Sequence, residues 1–171
     1  MPKLGRLTFV TALLSLAIVA GAATHVGADD RPETAQEGKL APELALSNWQ
    51  NSKALKLSEL SGKVVLIEFW ATWCTTCKAG LAKVKKLAED YKGKDLVIIG
   101  VHDKKDNEKM AAFVERQKIP YACAADDTGA TAKKYGVKTL PAFVLIDKKG
   151  VVTKIDGEPP IEALEKLVAA K

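Results

Sequence analysis

The stretch VVLIEFW, residues 64–70, constrains the fold more than any other part of the sequence. All of its residues except Glu68 are apolar, and most of these are β-branched or aromatic. Such a run is typical of a central strand covered on both faces, as in the largely parallel sheets of α/β proteins. A lone carboxylate in such a strand is unusual because its burial costs free energy. The stretch therefore predicts an α/β fold and marks Glu68 as a candidate site residue.

The segments after this strand alternate as expected for an α/β protein. From Cys77 to Tyr91, apolar residues recur at spacings of three and four, which predicts a helix that ends at Gly93. LVIIGV, residues 96–101, then predicts a second buried strand. A strand, a helix and a strand in this order predict a parallel pair joined by a right-handed crossover.

The remaining predicted elements add to both edges of this unit. They are a short edge strand (Lys53 to Leu57), a helix capped by Asn107, a short helix (Thr128 to Tyr135), the two strands of a hairpin (Ala142 to Asp147 and Val151 to Ile155) and a last helix opened by Pro160. The main order β-α-β-α-β-β-α predicts a mixed central sheet with helices on both faces.

Residues 1–28 have the pattern of a secretory signal peptide. Lys3 and Arg6 precede an uncharged apolar stretch from Leu7 to Ala23, and small residues follow up to Ala28. We expect cleavage after Ala28 and export to the periplasm or another extracytoplasmic compartment. An uncleaved membrane anchor is the alternative, because the apolar stretch is only slightly shorter than the roughly 20 residues of a spanning helix.

The rest of the chain predicts one domain preceded by a short connecting segment. Residues 29–39 are polar and contain Pro and Gly, so we expect a flexible lead-in. Residues 40–171 are enough for a single core. The formal net charge of the whole chain is only +5, and its lysines are scattered among acids. We therefore expect no nucleic acid binding. We also expect a monomer.

Cys74 and Cys77 lie where the first central strand gives way to its helix, close enough in the chain to form a disulfide. Cys74 then occupies the helix N-terminus, where unpaired N–H groups and the helix dipole stabilise a thiolate and lower its pKa. The neighbouring Lys78 adds positive charge. Cys77 lies nearly one turn further, on the apolar face, which suits a resolving sulfur. The spacing indicates a redox couple in which Cys74 attacks and Cys77 resolves.

Other uses of a close cysteine pair fit the sequence less well. A zinc site requires four ligands, and residues 29–171 offer only Cys123 and His102 as further sulfur or imidazole ligands. Haem attachment requires His after the second cysteine, where this chain has Lys78. A structural disulfide remains possible, although so small a loop gains little stability. We expect no metal or organic cofactor, and we interpret Cys123 as core and His102 as a strand-capping residue.

These features together resemble the thioredoxin superfamily, and most closely its exported TlpA/ResA-like thiol–disulfide oxidoreductases. The resemblance covers residues 40–171 and implies a thioredoxin-like fold, a Cys74–Cys77 disulfide and disulfide exchange with protein substrates, more often as a reductase. It also implies that an unidentified membrane or soluble electron donor recycles the couple. The segments that carry it are AP at 41–42, LSELSGKVVLIEFWATWC at 57–74, CTTCK at 74–78, GVKTLP at 136–141 and FVLIDKKG at 143–150.

The resemblance implies roles for four further residues. Pro141 matches the family's cis-proline, which packs against the disulfide, and Leu140 would offer its backbone to an extended substrate. Glu68 matches the buried acid of thioredoxin that moves the proton of the resolving cysteine, and burial should raise its pKa. Trp73 would cover the Cys74 sulfur or offer a flat contact surface. The alternatives are an ordinary trans-proline at 141 and a Glu68 that points to solvent.

The chain departs from the family at Thr76, where a proline is common. Threonine adds an N–H and a hydroxyl near the sulfurs, so the sequence leaves the direction of electron flow open. Two other functions stay in view: a thiol peroxidase of related fold, and a non-catalytic binding domain with a static disulfide. Thr72 lies two residues before Cys74 with no proline upstream in the loop, which disfavours the peroxidase.

Overall fold

The computed structural model of the protein describes Met1 and residues 31–170. The predicted signal peptide, and the membrane anchor that is its alternative, lie outside the described residues except for Met1. Within the described part of the chain, no helix is long and apolar enough to cross a membrane.

Within residues 31–170, the fold consists of six strands and four α-helices. The strands are β1 (Ser47–Gln50), β2 (Val64–Trp70), β3 (Leu96–His102), β4 (Ala122–Ala125), β5 (Ala142–Ile146) and β6 (Val152–Asp156). The helices are α1 (Thr75–Asp90), α2 (Met110–Arg116), α3 (Ala130–Lys134) and α4 (Ile161–Ala169). The strands form one sheet in the order β1-β4-β3-β2-β5-β6. β2, β3 and β4 are parallel, and β1, β5 and β6 complete the sheet with antiparallel pairings.

The central position of β2 follows from its composition. Every residue of the strand is buried. Because side chains alternate across a sheet, Leu66 packs into the core that contains the two cysteines of the pair, and Ile67 packs into the core on the opposite face. The prediction of a strand covered on both faces is confirmed, as are the parallel β2–β3 pair and the closing hairpin.

The predicted edge strand at Lys53 to Leu57 is wrong. The edge strand is β1, which pairs with β4. Leu57–Glu59 form a single turn of 3₁₀ helix, and the carboxylate of Glu43 accepts the N–H groups of Leu57 and Ser58 at 2.9 and 2.6 Å. Those donors are engaged in a cap and cannot enter a strand ladder.

The region from 107 to 125 differs from the prediction in two respects. Asn107 does not cap a helix: its amide donates to Asp127 at 2.6 Å, and a short 3₁₀ turn precedes α2. The strand β4 was not predicted at all, because the sequence ACAA lacks the β-branched residues typical of strands. Pairing with β1 and β3 stabilises it, which no local pattern indicates.

Residues 31–39, the described part of the predicted lead-in, lie against the domain. The N–H of Gly38 donates to the carbonyl of Val152 at 2.8 Å, and the N–H of Val152 donates to the carbonyl of Lys39 at 2.9 Å. The N–H of Ile155 donates to the Glu37 carboxylate at 2.9 Å. This segment thus covers the outer edge of β6, which would otherwise present unpaired backbone groups. The domain boundary at residue 40 remains a prediction.

Candidate active site

The cysteine pair lies at the start of α1 and forms a disulfide with a Cα–Cα distance of 5.3 Å. A tight turn follows β2, in which the N–H of Cys74 donates to the carbonyl of Ala71 at 3.1 Å. Cys74 is the N-cap of α1, and its sulfur accepts the N–H of Cys77 at 3.1 Å. A polar side chain at this position ordinarily satisfies an unpaired helical donor, and here the Cys74 sulfur does so.

Helix position, and not exposure, makes the two sulfurs inequivalent. Cys74 is 6% exposed and Cys77 is 4% exposed, so both sulfurs are buried in the disulfide form. Cys74 lies at the positive end of a 16-residue helix, and Cys77 lies within its first turn on the buried face. This arrangement favours thiolate formation at Cys74.

His102 braces the loop that precedes Cys74. It is the last residue of β3 and its side chain is fully buried. The Nε2 atom accepts the N–H of Thr72 at 2.9 Å, so Nδ1 carries the proton and donates to the carbonyl of Asp103 at 2.7 Å. Burial lowers the pKa of His102, which keeps the ring neutral. His102 thus holds a loop in place and does not merely cap the strand.

Glu68 is buried in the middle of β2, only 3% exposed, so the alternative in which it points to solvent is wrong. Its Oε2 accepts a hydrogen bond from the Tyr121 hydroxyl at 2.8 Å. Burial raises the pKa of Glu68 to about 7, and the hydrogen bond from Tyr121 opposes that rise because it favours the ionised form. The carboxyl can therefore both hold and release a proton near neutral pH.

A groove of about 230 Å³, here called the Cys77 groove, brings together three of the predicted site residues: Glu68, Cys77 and Pro141. The Leu140–Pro141 peptide bond is cis, as the family resemblance implies. An ion pair between Lys83 and Glu158, with 3.7 Å between the nitrogen and the oxygen, also lines the groove. The other lining residues are Thr76, Ala79, Gly80, Phe143, Gly157 and Pro159.

Trp73 and Leu140 line a separate pocket of about 160 Å³, with Phe69 and His102 among its other lining residues. Trp73 is 45% exposed, and Lys105 Nζ lies 5.4 Å from the centre of one of its rings. The predicted substrate-contacting residues are thus divided: Pro141 belongs to the Cys77 groove, and Trp73 and Leu140 belong to this second pocket.

Gly100 on β3 has a role that sequence reasoning missed. It pairs with Glu68 on one side and with Cys123 on the other. A Cβ atom on Gly100 would lie 2.9 Å from Trp70 Nε1, closer than real Cβ contacts come, and 3.0 Å from Cys123 Sγ, which is tighter than nearly all of them. Cys123 is a fully buried free thiol and part of the core, and burial raises its pKa.

Gly100→Ala is expected to destabilise the protein by about 1–3 kcal/mol, because an extra methyl group must displace packed side chains. The measurement is urea-induced unfolding of the oxidised protein. Gly80→Ala is the matched control: a Cβ on this helical glycine meets no other group within 4 Å, so the change should leave stability equal or slightly higher. Equal stabilities of the two variants would contradict the crowding at Gly100.

No group of three or more His, Cys, Asp or Glu side chains within the described residues could hold a metal ion. The chemical groups of the site are its two sulfurs, one buried carboxyl and one neutral imidazole.

A mixed sheet flanked by helices, with a redox-type cysteine pair at the N-terminus of its first long helix, defines a thioredoxin-fold thiol–disulfide oxidoreductase. The Redoxin family model matches residues 36–170, and the chain belongs to this family. The predictions of a thioredoxin-like fold and of thiol–disulfide oxidoreductase activity are thus confirmed.

Three known proteins illustrate the similarity. The chain is 33% identical over 166 residues to the thiol-disulfide oxidoreductase ResA of Bacillus cereus. The alignment covers 96% of this chain and 95% of ResA. A crystal structure from Chlorobium tepidum, assigned as the thiol:disulfide interchange protein DsbE, matches with a TM-score of 0.66 and 32% identity over 79% of this chain and 96% of that one. The exposed lipoprotein thioredoxin of Streptococcus pneumoniae matches with a TM-score of 0.60 and 25% identity over 67% and 93% of the two chains.

Proposed function

We propose that the protein is an exported reductase of protein disulfides in which Cys74 attacks, Cys77 resolves and Glu68 accepts the proton of Cys77. The observation that carries this proposal is the Cys77 groove, where a buried carboxyl with a pKa of about 7 lines the same space as the second cysteine of the pair. A structural disulfide would not require a buried acid there, because its sulfurs never release or take up protons.

The reaction transfers two electrons from the protein to its client. The Cys74 thiolate attacks one sulfur of the client disulfide, forming a mixed disulfide and releasing the other client sulfur as a thiolate. The Cys77 thiolate then attacks the Cys74 sulfur, which breaks the mixed disulfide and releases the second client sulfur. The client leaves as a dithiol after its thiolates take protons from solvent, and the protein is left with the Cys74–Cys77 disulfide.

The second attack requires that the thiol of Cys77 lose its proton. Cys77 lies on the buried face of the first turn of α1, where burial disfavours a thiolate. A carboxylate at Glu68 can accept that proton near neutral pH, since a base works best when its pKa lies near the working pH. This proton transfer turns the buried Cys77 thiol into the thiolate that attacks the mixed disulfide.

Client binding would use the exposed elements around the disulfide. Trp73 presents an exposed ring next to Cys74, and the backbone of Leu140 precedes the cis-proline. An extended client segment that pairs with the backbone at Leu140 would pass the redox pair with its side chains toward the Trp73 pocket. We infer that Trp73, Leu140 and Pro141 form the client-contacting surface and that the protein acts as a monomer.

The direction of electron flow follows from how well the Cys74 thiolate is stabilised. In the disulfide form, the Cys77 N–H is the one hydrogen-bond donor to the Cys74 sulfur within residues 31–170, and the side chains of Thr75 and Thr76 are exposed. A Cys74 thiolate with one donor is stabilised less than a thiolate with several donors. A less stabilised reduced form makes the couple more reducing. A dithiol or membrane electron donor must then restore the reduced protein.

Export is supported by the apolar N-terminal stretch after Lys3 and Arg6, by small residues up to Ala28, and by the similarity to an exposed lipoprotein of Streptococcus pneumoniae. Outside the cytosol client disulfides persist, so a reductase there has substrates. Purification of the secreted fraction and determination of its N-terminal residue would test cleavage after Ala28.

Cys77→Ser is expected to trap client proteins on Cys74, because the mixed disulfide forms but cannot be resolved. The variant, expressed with its own N-terminal segment, is isolated after acid quenching and resolved on non-reducing gels, where adducts should appear that dithiothreitol removes. The Cys74→Ser, Cys77→Ser double variant is the control and should carry none. Absence of adducts from the single variant would contradict the proposed reaction.

A further inference from the structure

We propose that Tyr121 is a positioning residue for the proton transfer: its hydroxyl, reaching across the glycine of the intervening strand, holds the Glu68 carboxylate in the Cys77 groove. This inference rests on the proposed role of Glu68 and extends it to a residue that does not touch either sulfur of the redox pair. The contact that carries it is the 2.8 Å hydrogen bond from the Tyr121 hydroxyl to Glu68 Oε2.

The contact depends on the order of the strands. Tyr121 directly precedes β4, and β3 lies between β4 and β2, so the phenol must cross a whole strand to reach Glu68. At the crossing point β3 carries Gly100, which is paired with Glu68. The ring carbon Cε2 of Tyr121 lies 3.3 Å from the position that a Cβ of Gly100 would occupy. The missing side chain at Gly100 therefore provides the passage for the tyrosine ring.

The hydrogen bond has a direction that matters for proton transfer. The phenol can only donate to Oε2 while it keeps its proton, and burial raises the pKa of Tyr121 so that it does so throughout the working pH range. A donor favours the ionised carboxylate. With Oε2 engaged by Tyr121, Oε1 is the oxygen left to take a proton from the groove.

Tyr121 differs from the other groups around the Glu68 carboxyl because it donates a hydrogen bond to it. Cys123 is buried beside Glu68, and burial keeps its thiol neutral by raising its pKa. Lys83 and Glu158 are paired with each other at the groove, and Glu158 is largely exposed. β5 and α4 present the apolar residues Phe143 and Leu164. Within the described part of the chain, the titratable and charged groups around Glu68 are thus those of Tyr121, Cys77, Cys123, Lys83 and Glu158.

The test compares Tyr121→Phe with Tyr135→Phe. Each change removes one buried hydroxyl. The Tyr135 hydroxyl donates to the carbonyl of Pro42 and lies in the core on the opposite face of the sheet from Glu68. In Tyr121→Phe, the pH dependence of the resolving step should move upward by about one pH unit, and the rate at pH 7 should fall about fivefold. Tyr135→Phe should leave the profile in place even if it loses similar stability.

The resolving step is isolated by stopped-flow mixing of the reduced protein with a peptide disulfide, and the first attack is measured in the Cys77→Ser background. The Glu68 pKa is followed separately by ¹³C NMR of the carboxyl carbon. An unmoved Glu68 pKa in Tyr121→Phe, or equal movement of the rate profile in both tyrosine variants, would overturn the inference. If the NMR pKa moves but the rate profile does not, Tyr121 holds Glu68 as inferred and the proposed proton-transfer role of Glu68 fails instead.

Discussion

Cys74→Ser is expected to reduce disulfide exchange with protein substrates to the uncatalysed background, the largest effect of any single change. The Cys74 sulfur lies at the N-terminus of α1, where the helix dipole and the Cys77 N–H would stabilise a thiolate. A serine hydroxyl does not ionise near neutral pH and cannot form the mixed disulfide. The measurement is the rate of insulin reduction in the presence of a dithiol that keeps the protein reduced.

The matched control for this change is Cys123→Ala, which removes the remaining cysteine without touching the redox pair. Cys123 is fully buried in the core, so its loss should reduce stability and leave the exchange rate unchanged. If exchange persisted in Cys74→Ser but disappeared in Cys123→Ala, Cys74 could not be the attacking residue. Thermal unfolding of both variants separates loss of chemistry from loss of fold.

Glu68→Gln is expected to remove a pH dependence of stability of about 3 kcal/mol. The pKa of Glu68 rises from an ordinary 4.5 to about 7 on burial, so the unfolded chain releases this proton before the folded protein does. The contribution of Glu68 to the free energy of unfolding is thus fully present below pH 4.5. It declines as the pH rises toward 7 and is lost above that. Glutamine, which cannot ionise, should show no such decline.

The measurement is urea unfolding of the oxidised wild type and the variant at pH 4.5 and pH 8. The difference between the two proteins, and not either absolute curve, reports on Glu68, because burial also lowers the pKa of His102 and so adds a separate pH dependence. Glu115→Gln on the exposed face of α2 is the control for loss of one carboxylate and should track the wild type. A wild type and Glu68→Gln with parallel pH dependences would show that Glu68 titrates normally in the fold.

The same variant should slow the resolving step more than the first attack, since the amide cannot accept the proton of Cys77. Mixed disulfides with clients should then accumulate transiently, whereas in Cys77→Ser they are expected to persist. If both steps keep their wild-type rates while the stability difference appears, the carboxyl is buried and neutral at low pH but takes no part in catalysis.

The parts of the site that could be predicted from sequence are those with a local cause. The apolar run of β2, the three-and-four spacing along α1 and the position of Cys74 at the helix start each depend on residues close together in the chain. Glu68 was also evident, because a carboxylate stands out in an apolar strand. The role of cis-Pro141 came from resemblance to a family, and the pattern alone would have allowed a trans bond.

The sequence by itself therefore determined the β2–α1 unit, the candidate redox pair and the odd position of Glu68. Only the tertiary structure decided which residue contacts Glu68: Tyr121 lies 53 positions further along the chain and meets it because the strand order is β4-β3-β2 and Gly100 leaves room. The same holds for β4, whose alanine-rich sequence becomes a strand only between two partners. Strand order and register depend on how the whole chain packs, and no local spacing of side chains specifies them.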